Sequence, residues 1–384
     1  MPNTAVTFDS SRQADVLVVG GGVAGICVAG SLASSARVLL LERESAVGYH
    51  SSGRSAALYI EPYSNMPVYA LTRGSREFLL RPPDGFSEVP LARSRGGLTL
   101  APAGQEPALD AFLECWQSRC PAIREIDAAR ALADVPVLIE GYARRAAYDP
   151  EVYALDTDAM LQGWLRMLRQ HGSELITDAG VSDLQRVDGG WRVETPKGVF
   201  RAPVLVNAAG AWAAALGRLA GAQSLPLVPH RRTAALIEAP QGCSVDDWPT
   251  VADAAHTFYF KPEAGALMLS PADATPTEPC DARPEELDLA LAVARAEEAA
   301  RLDVKRFIAT WAGLRTFVPD QVPVMGFDDQ VEGFYWAAGQ GGTGFQTAPA
   351  AGRWMAAEIL GTPAPEDLRE LGLTAEALSP RRFG

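Results

Sequence analysis

Wholly apolar four-residue runs, each set against a glycine or acidic boundary, organise the start of the chain. Val16–Val19 (VLVV) follows Asp15, and Val38–Leu41 (VLLL) ends at Glu42. Runs with no polar position are expected of strands covered on both faces. GGGVAG lies between them at Gly20–Gly25, and a small-residue segment continues to about Ser34. The pattern predicts a strand–turn–helix–strand unit. Val16 to Ala36 carries no charge over a length that spans a bilayer. Its five glycines and several serines fit a strand, a turn and a buried helix better.

Further along, Pro67 suits the first turn of a helix reaching about Leu80. Residues 81–150 mix Pro, Gly and Arg clusters and show no clear period. Asp156 to His171 reads as a helix. Leu161, Trp164, Leu165 and Leu168 make one apolar face, and Asp156 or Thr157 can cap it. Val181–Val187, Trp191–Thr195 and Val199–Arg201 read as short strands, with a DGG turn at Asp188–Gly190. Val204–Asn207 is another buried run, leading into AAGAW. Residues 225–320 look β-rich around a polar helix near Glu285 to Leu302. Phe334–Gly339 is a last strand, followed by GQGGTG and a helix to about Leu360.

Composition changes this picture little. Of 384 residues, 34 are Lys or Arg and 47 Asp or Glu, a formal charge of −13. That argues against nucleic acid or anionic lipid as the main partner. The five cysteines show no paired spacing, which points to free thiols in a reducing, cytoplasmic compartment. The four histidines have no metal-ligand spacing. The first fifteen residues lack an apolar leader core.

Gly20, Gly22 and Gly25 form GxGxxG after a strand and at the start of a helix. The first glycine permits the turn, the second lets a pyrophosphate approach the backbone, and the third lets helix and strand pack closely. Helix amides and dipole then face the phosphates. Glu42, ending the next strand, is placed to accept from an adenosine ribose. GYHSSGRSAA at Gly48–Ala57 and GQGGTG at Gly339–Gly344 add two more small or polar turns, as a cofactor of flavin-dinucleotide length requires.

With DVLVVGGGVAG, LLLERE, HSSGRSAA, VLVNAAGAW and WAAGQGGTGFQTAPAAG, the chain resembles the D-amino-acid-oxidase family of FAD-dependent amine oxidoreductases, from about Ala14 to Leu360. GRSAALY, PHRRTA, FYFKPEAG, TWAGLRTF and LSPRR are similar to its D-arginine dehydrogenase branch. The resemblance implies an α/β fold: a Rossmann-like FAD-binding domain (14–80, 145–225 and 318–375) with a discontinuous, mostly β-sheet substrate domain (81–144 and 226–317). It implies cofactor contacts from Gly20, Gly22, Val23, Ala24, Gly25, Glu42 and Arg43, and from His50, Ser51, Ser52, Arg54, Ser55 and Ala56. Val181, Ala209, Gly210 and Trp212 add to these, as do Gly341, Gly342, Thr343, Gly344, Phe345 and Gln346. With no cysteine after Cys280, the FAD is expected to be non-covalent. The implied reaction takes a hydride from an amino acid Cα to flavin N5. The imino acid then hydrolyses to a 2-oxo acid and ammonia. A quinone or oxygen serves as electron acceptor.

The same resemblance implies substrate contacts from Arg232, Arg315, Tyr63, Tyr259, Leu58, Gly97 and Gly342. A guanidinium grips a carboxylate in two places, as lysine cannot. Arg315 stands in an apolar run, where an unpaired charge is costly. Arg231 adjoins Arg232, and only one of them can face a pocket. No general base stands out, although His50 and His230 lie near these motifs. In the branch members that take cationic side chains, a histidine stands where this chain has Leu58 and an acid stands near Gly97. Glu61, on a presumed lid (IEPYSN), is the only acid nearby in sequence. Neutral or apolar D-amino acids are therefore expected, in preference to D-arginine. Two other readings stay open: oxidation of N-substituted amino acids of the sarcosine type, and a flavin subunit without turnover of its own.

Overall fold

The computed structural model describes residues 12–384. The expectation of no leader core falls mostly on residues 1–11, outside the described residues. The apolar runs assemble into one six-stranded sheet, in the order Val324–Phe327, Phe334–Ala338, Val204–Asn207, Val16–Val19, Val38–Leu41 and Glu174–Ile176. All neighbours are parallel except the first pair. Val16–Val19 and Val38–Leu41 are buried throughout, as an interior parallel strand requires.

Helix Val23–Leu32 covers one face with Thr157–Gln170 and Gly344–Ile359. Asp156 caps the second of these by accepting from Ala159 N at 2.9 Å. Trp164 and Leu168 are buried on its apolar face, and burying each such side chain contributes about 1.5–3 kcal/mol. Met66–Leu80 starts one residue before Pro67, with Asn65 as cap. Among the described residues, no helix is long and apolar enough to cross a membrane. Val16–Ala36 resolves into a strand and a ten-residue helix. The five cysteines are unpaired.

A second, nine-stranded sheet carries the other half of the molecule. It pairs Val228–Ile237 with Phe307–Phe317 and runs through Ala266–Ser270, Tyr259–Glu263, Thr250–Asp253 and Gly97–Pro102 to Ala143–Asp149. Helix Glu286–Ala299 packs on it. Residues 81–150, without a readable period, therefore supply strands to this sheet and the helix Glu106–Trp116. The boundary expected at 145 falls inside Ala143–Asp149, so we propose that the division between the two parts lies after Asp149.

Candidate active site

The glycine turn is shaped by close approach. Gly20 has φ +114°, and a Cβ there would lie 2.3 Å from Ala208 O. A Cβ on Gly25 would lie 1.9 Å from Gly20 O. The helix that follows has no side-chain cap at Gly22. Gly22, Val23 and Ala24 line a cavity of about 1040 Å³, and Ser52 Oγ accepts from Val23 N at 2.9 Å. Glu42 ties its strand to the turn: Oε2 accepts from Gly21 N at 2.5 Å and Oε1 from Glu44 N at 2.8 Å.

Ser51, Ser52, Arg54, Ser55, Ala56 and Gly210 also line the cavity, as do Gly341, Gly342, Thr343, Gly344, Phe345 and Gln346. Glu42, Arg43, His50, Val181, Ala209 and Trp212 do not; they gather beside it. The Arg43 guanidinium lies 4.3 Å over the Trp212 ring, and His50 packs on the same ring at 4.6 Å. His50 Nε2 pairs with Glu44 at 2.9 Å, and this contact above all holds the Glu44 carboxyl below its usual range. Ala179 N donates to Glu42 O at 2.8 Å, and a Cβ on Gly180 would lie 3.4 Å from the Arg43 Cβ, so Val181 follows this patch in the chain.

Near the C-terminal glycine turn, two buried polar atoms in the cavity wall lack partners among the described residues: Gln340 Nε2 and Thr316 Oγ1. Buried polar groups are rarely left unmade, so these point to a bound group. With the uncapped helix start, they fit a phosphate-bearing cofactor whose polar ring edge meets the C-terminal glycine turn.

Arg232 and Arg315 come together on the facing sheet, with Gly313 opposite Arg232 and His230 opposite Arg315. Both line the cavity with Tyr63 and Tyr259. Arg231 turns the other way, onto Glu285 and Asp288. Arg232 Nε donates to Asp273 O at 2.5 Å. Burial first, then the Arg315 charge, lowers its pKa, while Tyr259 and Tyr63 act in the opposite sense. Arg315 has no hydrogen bond or ion pair among the described residues. A Cβ on Gly342 would lie 2.3 Å from its Nη2, so only glycine there leaves room for the guanidinium. His230 lines the cavity and its Nδ1 meets Val228 O at 3.0 Å.

At the side-chain end, the structure corrects two expectations. Glu61 is not poised to swing in: it is buried, bonded to Tyr59 at 2.9 Å and paired with Arg73 at 3.3 Å. Its segment is no free lid, because Gln346 accepts from Ile60 N and donates to Ile60 O. Nor does Gly97 leave this end without an acid. Leu58, Gly97 and Val152 line the cavity beside Asp149, which stands directly across from Gly97. Sequence reasoning missed Asp149, Thr250, Thr316 and Gln340. Only Thr316 and Gln340 adjoin motif residues.

A nucleotide-binding parallel sheet facing an arginine-bearing β-sheet across one cavity defines the class. The chain belongs to the DAO family of FAD dependent oxidoreductases, whose model matches residues 15–358. It is 25% identical to glycine oxidase from Geobacillus kaustophilus over 376 residues, covering 95% of this chain and 97% of that one. That enzyme's crystal structure superposes with a TM-score of 0.80, covering 95% and 99% of the two chains at 24% identity. Rat mitochondrial dimethylglycine dehydrogenase is 26% identical over 97% of this chain, which spans only 45% of that protein. The structure of iminodiacetate oxidase from a Chelativorans species shares the fold, with a TM-score of 0.80 at 22% identity over 95% of this chain and 98% of that one.

Proposed function

We propose that this protein oxidises the Cα–N bond of an amino acid whose carboxylate is held between Arg232 and Arg315. The observation that carries this reading is Arg315, a guanidinium at the cavity wall with no anion among the described residues. Two arginines so close repel each other, and a substrate carboxylate between them removes that cost. Tyr63 and Tyr259 line the same cavity, and their hydroxyls would add donors to the carboxylate. Bound FAD supplies the two-electron acceptor. The Gly22 and Ala24 amides would hold its diphosphate, Glu42 its ribose, and Gln340 with the Gly341–Gly344 turn its ring edge. A primary amine gives an imino acid, which water converts to a 2-oxo acid and ammonia.

The D-configured α-amino acid suggested by the D-arginine dehydrogenase resemblance is one form of this substrate. An N-substituted amino acid is the other, favoured by the similarity to dimethylglycine dehydrogenase and iminodiacetate oxidase. The clamp serves both. Anaerobic mixing with D-, L- and N-methyl amino acids separates them. One class should bleach the flavin's visible absorbance, and bleaching by none would remove the proposal.

The same preparation tests cofactor attachment. No cysteine lies in the Gly339–Gln346 segment that meets the cavity. Acid precipitation should leave a colourless pellet and free FAD in the supernatant. Yellow retained in the pellet would show a covalent bond.

A further inference from the structure

The cavity has a second polar end of opposite sign. Asp149 closes the strand Ala143–Asp149, and its directly opposed partner is Gly97, so both residues point to one face of the sheet. That face is cavity wall, yet Asp149 is only 7% exposed. Its Oδ1 accepts from Glu151 N at 2.9 Å. Its Oδ2 meets no hydrogen-bond donor among the described residues. Thr250 flanks Gly97 on the other side, in register across a parallel pair. It too lines the cavity at 7% exposure, and its Oγ1 has no partner. A Cβ on Gly97 would lie 2.8 Å from Val152 Cγ2, so Val152 takes the space a side chain at 97 would need. The acid at this end comes from the neighbouring strand instead.

Charge balance selects the ligand. The other acids near Asp149 are Glu61 and Glu151. Arg76 pairs with Glu151 at 2.6 Å, and Arg73 with Glu61 at 3.3 Å. Two arginines thus match two glutamates, and Asp149 is the unmatched charge. Arg95 is turned away onto Trp248 O at 3.3 Å. Leu58, Phe112 and Val152 make the surrounding wall apolar. A buried carboxylate in such a wall is costly without a cation, and an orphan hydroxyl without a donor.

We propose that Asp149 and Thr250 form a side-chain subsite for an ammonium or guanidinium group, joined by an apolar stem to the carboxylate that Arg232 and Arg315 hold. This rests on the amino-acid reading above and replaces the expectation of a neutral side chain. Burial, reinforced by the Glu151 and Glu61 charges, pushes the Asp149 carboxyl up to about 6. Arg76 opposes that shift, and no histidine contributes to it. Below that pH the group is protonated and cannot pair with a cation. Selectivity for a cationic ligand should therefore grow as pH rises through 6.

The test uses FAD-loaded protein and two acids without an α-amine, 6-aminohexanoate and hexanoate, with affinities read by calorimetry. At about pH 7.5 the ammonium-bearing acid should bind at least about tenfold tighter, as a desolvated charge pair allows. Asp149→Asn keeps an acceptor for the Glu151 amide, so its FAD content and Tm should hold. It should erase the preference and its pH dependence while leaving hexanoate affinity unchanged. Thr250→Val should narrow the preference. Equal binding of the two acids by the wild type, or a preference that survives Asp149→Asn, would overturn the subsite. Flavin bleaching by D-lysine against D-norleucine completes the test. A binding preference without bleaching by either would remove the D-amino acid form of the oxidation reading and leave the subsite standing.

Discussion

Arg315→Met should raise KM by roughly 30- to 4,000-fold, the equivalent of about 2–5 kcal/mol for losing one partner of a buried charge pair. FAD content should be unchanged. The Tm decides what the arginine is for. A structural ion pair broken at one end costs about 3–5 kcal/mol of stability, because a buried charge is left alone. Arg315 has no such partner among the described residues, and it stands in the cavity wall. Removing it should therefore leave the Tm level or slightly raised while binding collapses. Arg315→Lys should recover little, since an ammonium cannot grip two carboxylate oxygens in one plane. Unchanged KM in the methionine variant, or a lowered Tm with binding intact, would take the clamp out of the mechanism.

What the sequence disclosed follows how local each feature is. The Gly20–Gly25 turn depends on residues a few positions apart, and its spacing carries its own geometry. The Asp156 cap is equally local. The choice between Arg231 and Arg232 was half legible. Alternation along a strand sends neighbours to opposite faces, but only Glu285 and Asp288 show which face is which. Asp149 was not legible at all. Its place opposite Gly97 is set by cross-strand register between distant segments, and no local pattern reports register. The same gap made Glu61 look free. Tyr59, Arg73 and Arg76 claim Glu61 only once the chain has folded.

Gly25→Ala sets two effects of opposite sign against each other. Gly25 lies in the first turn of helix Val23–Leu32, where alanine is intrinsically better by about 1 kcal/mol. Propensity alone thus predicts a stabilised protein. Against it stands the Cβ, 1.9 Å from Gly20 O and 3.2 Å from the Ala208 Cβ. Neither neighbour can retreat easily. Gly20 N is bonded to Leu41 O at 2.8 Å and Ala208 N to Val19 O at 2.9 Å, so the turn is pinned from two strands. Overpacking against fixed atoms typically costs about 1–3 kcal/mol, which exceeds the propensity gain. The helix start must shift, and with it the amides that face the cavity. The expected result is a lowered Tm for the apoprotein and a large fall in bound FAD per chain. Gly22→Ala is the contrast. Its φ is −80° and its Cβ would lie 3.3 Å from Ser52 Oγ, a contact that a shift of a few tenths of an ångström relieves with the Ser52 bond to Val23 N kept. That variant should keep the apoprotein Tm and lose FAD affinity, because there the methyl group meets the cofactor and not the fold. If Gly25→Ala keeps full FAD and a wild-type or higher Tm, propensity has won, and the close approach of helix to strand is not what requires this glycine.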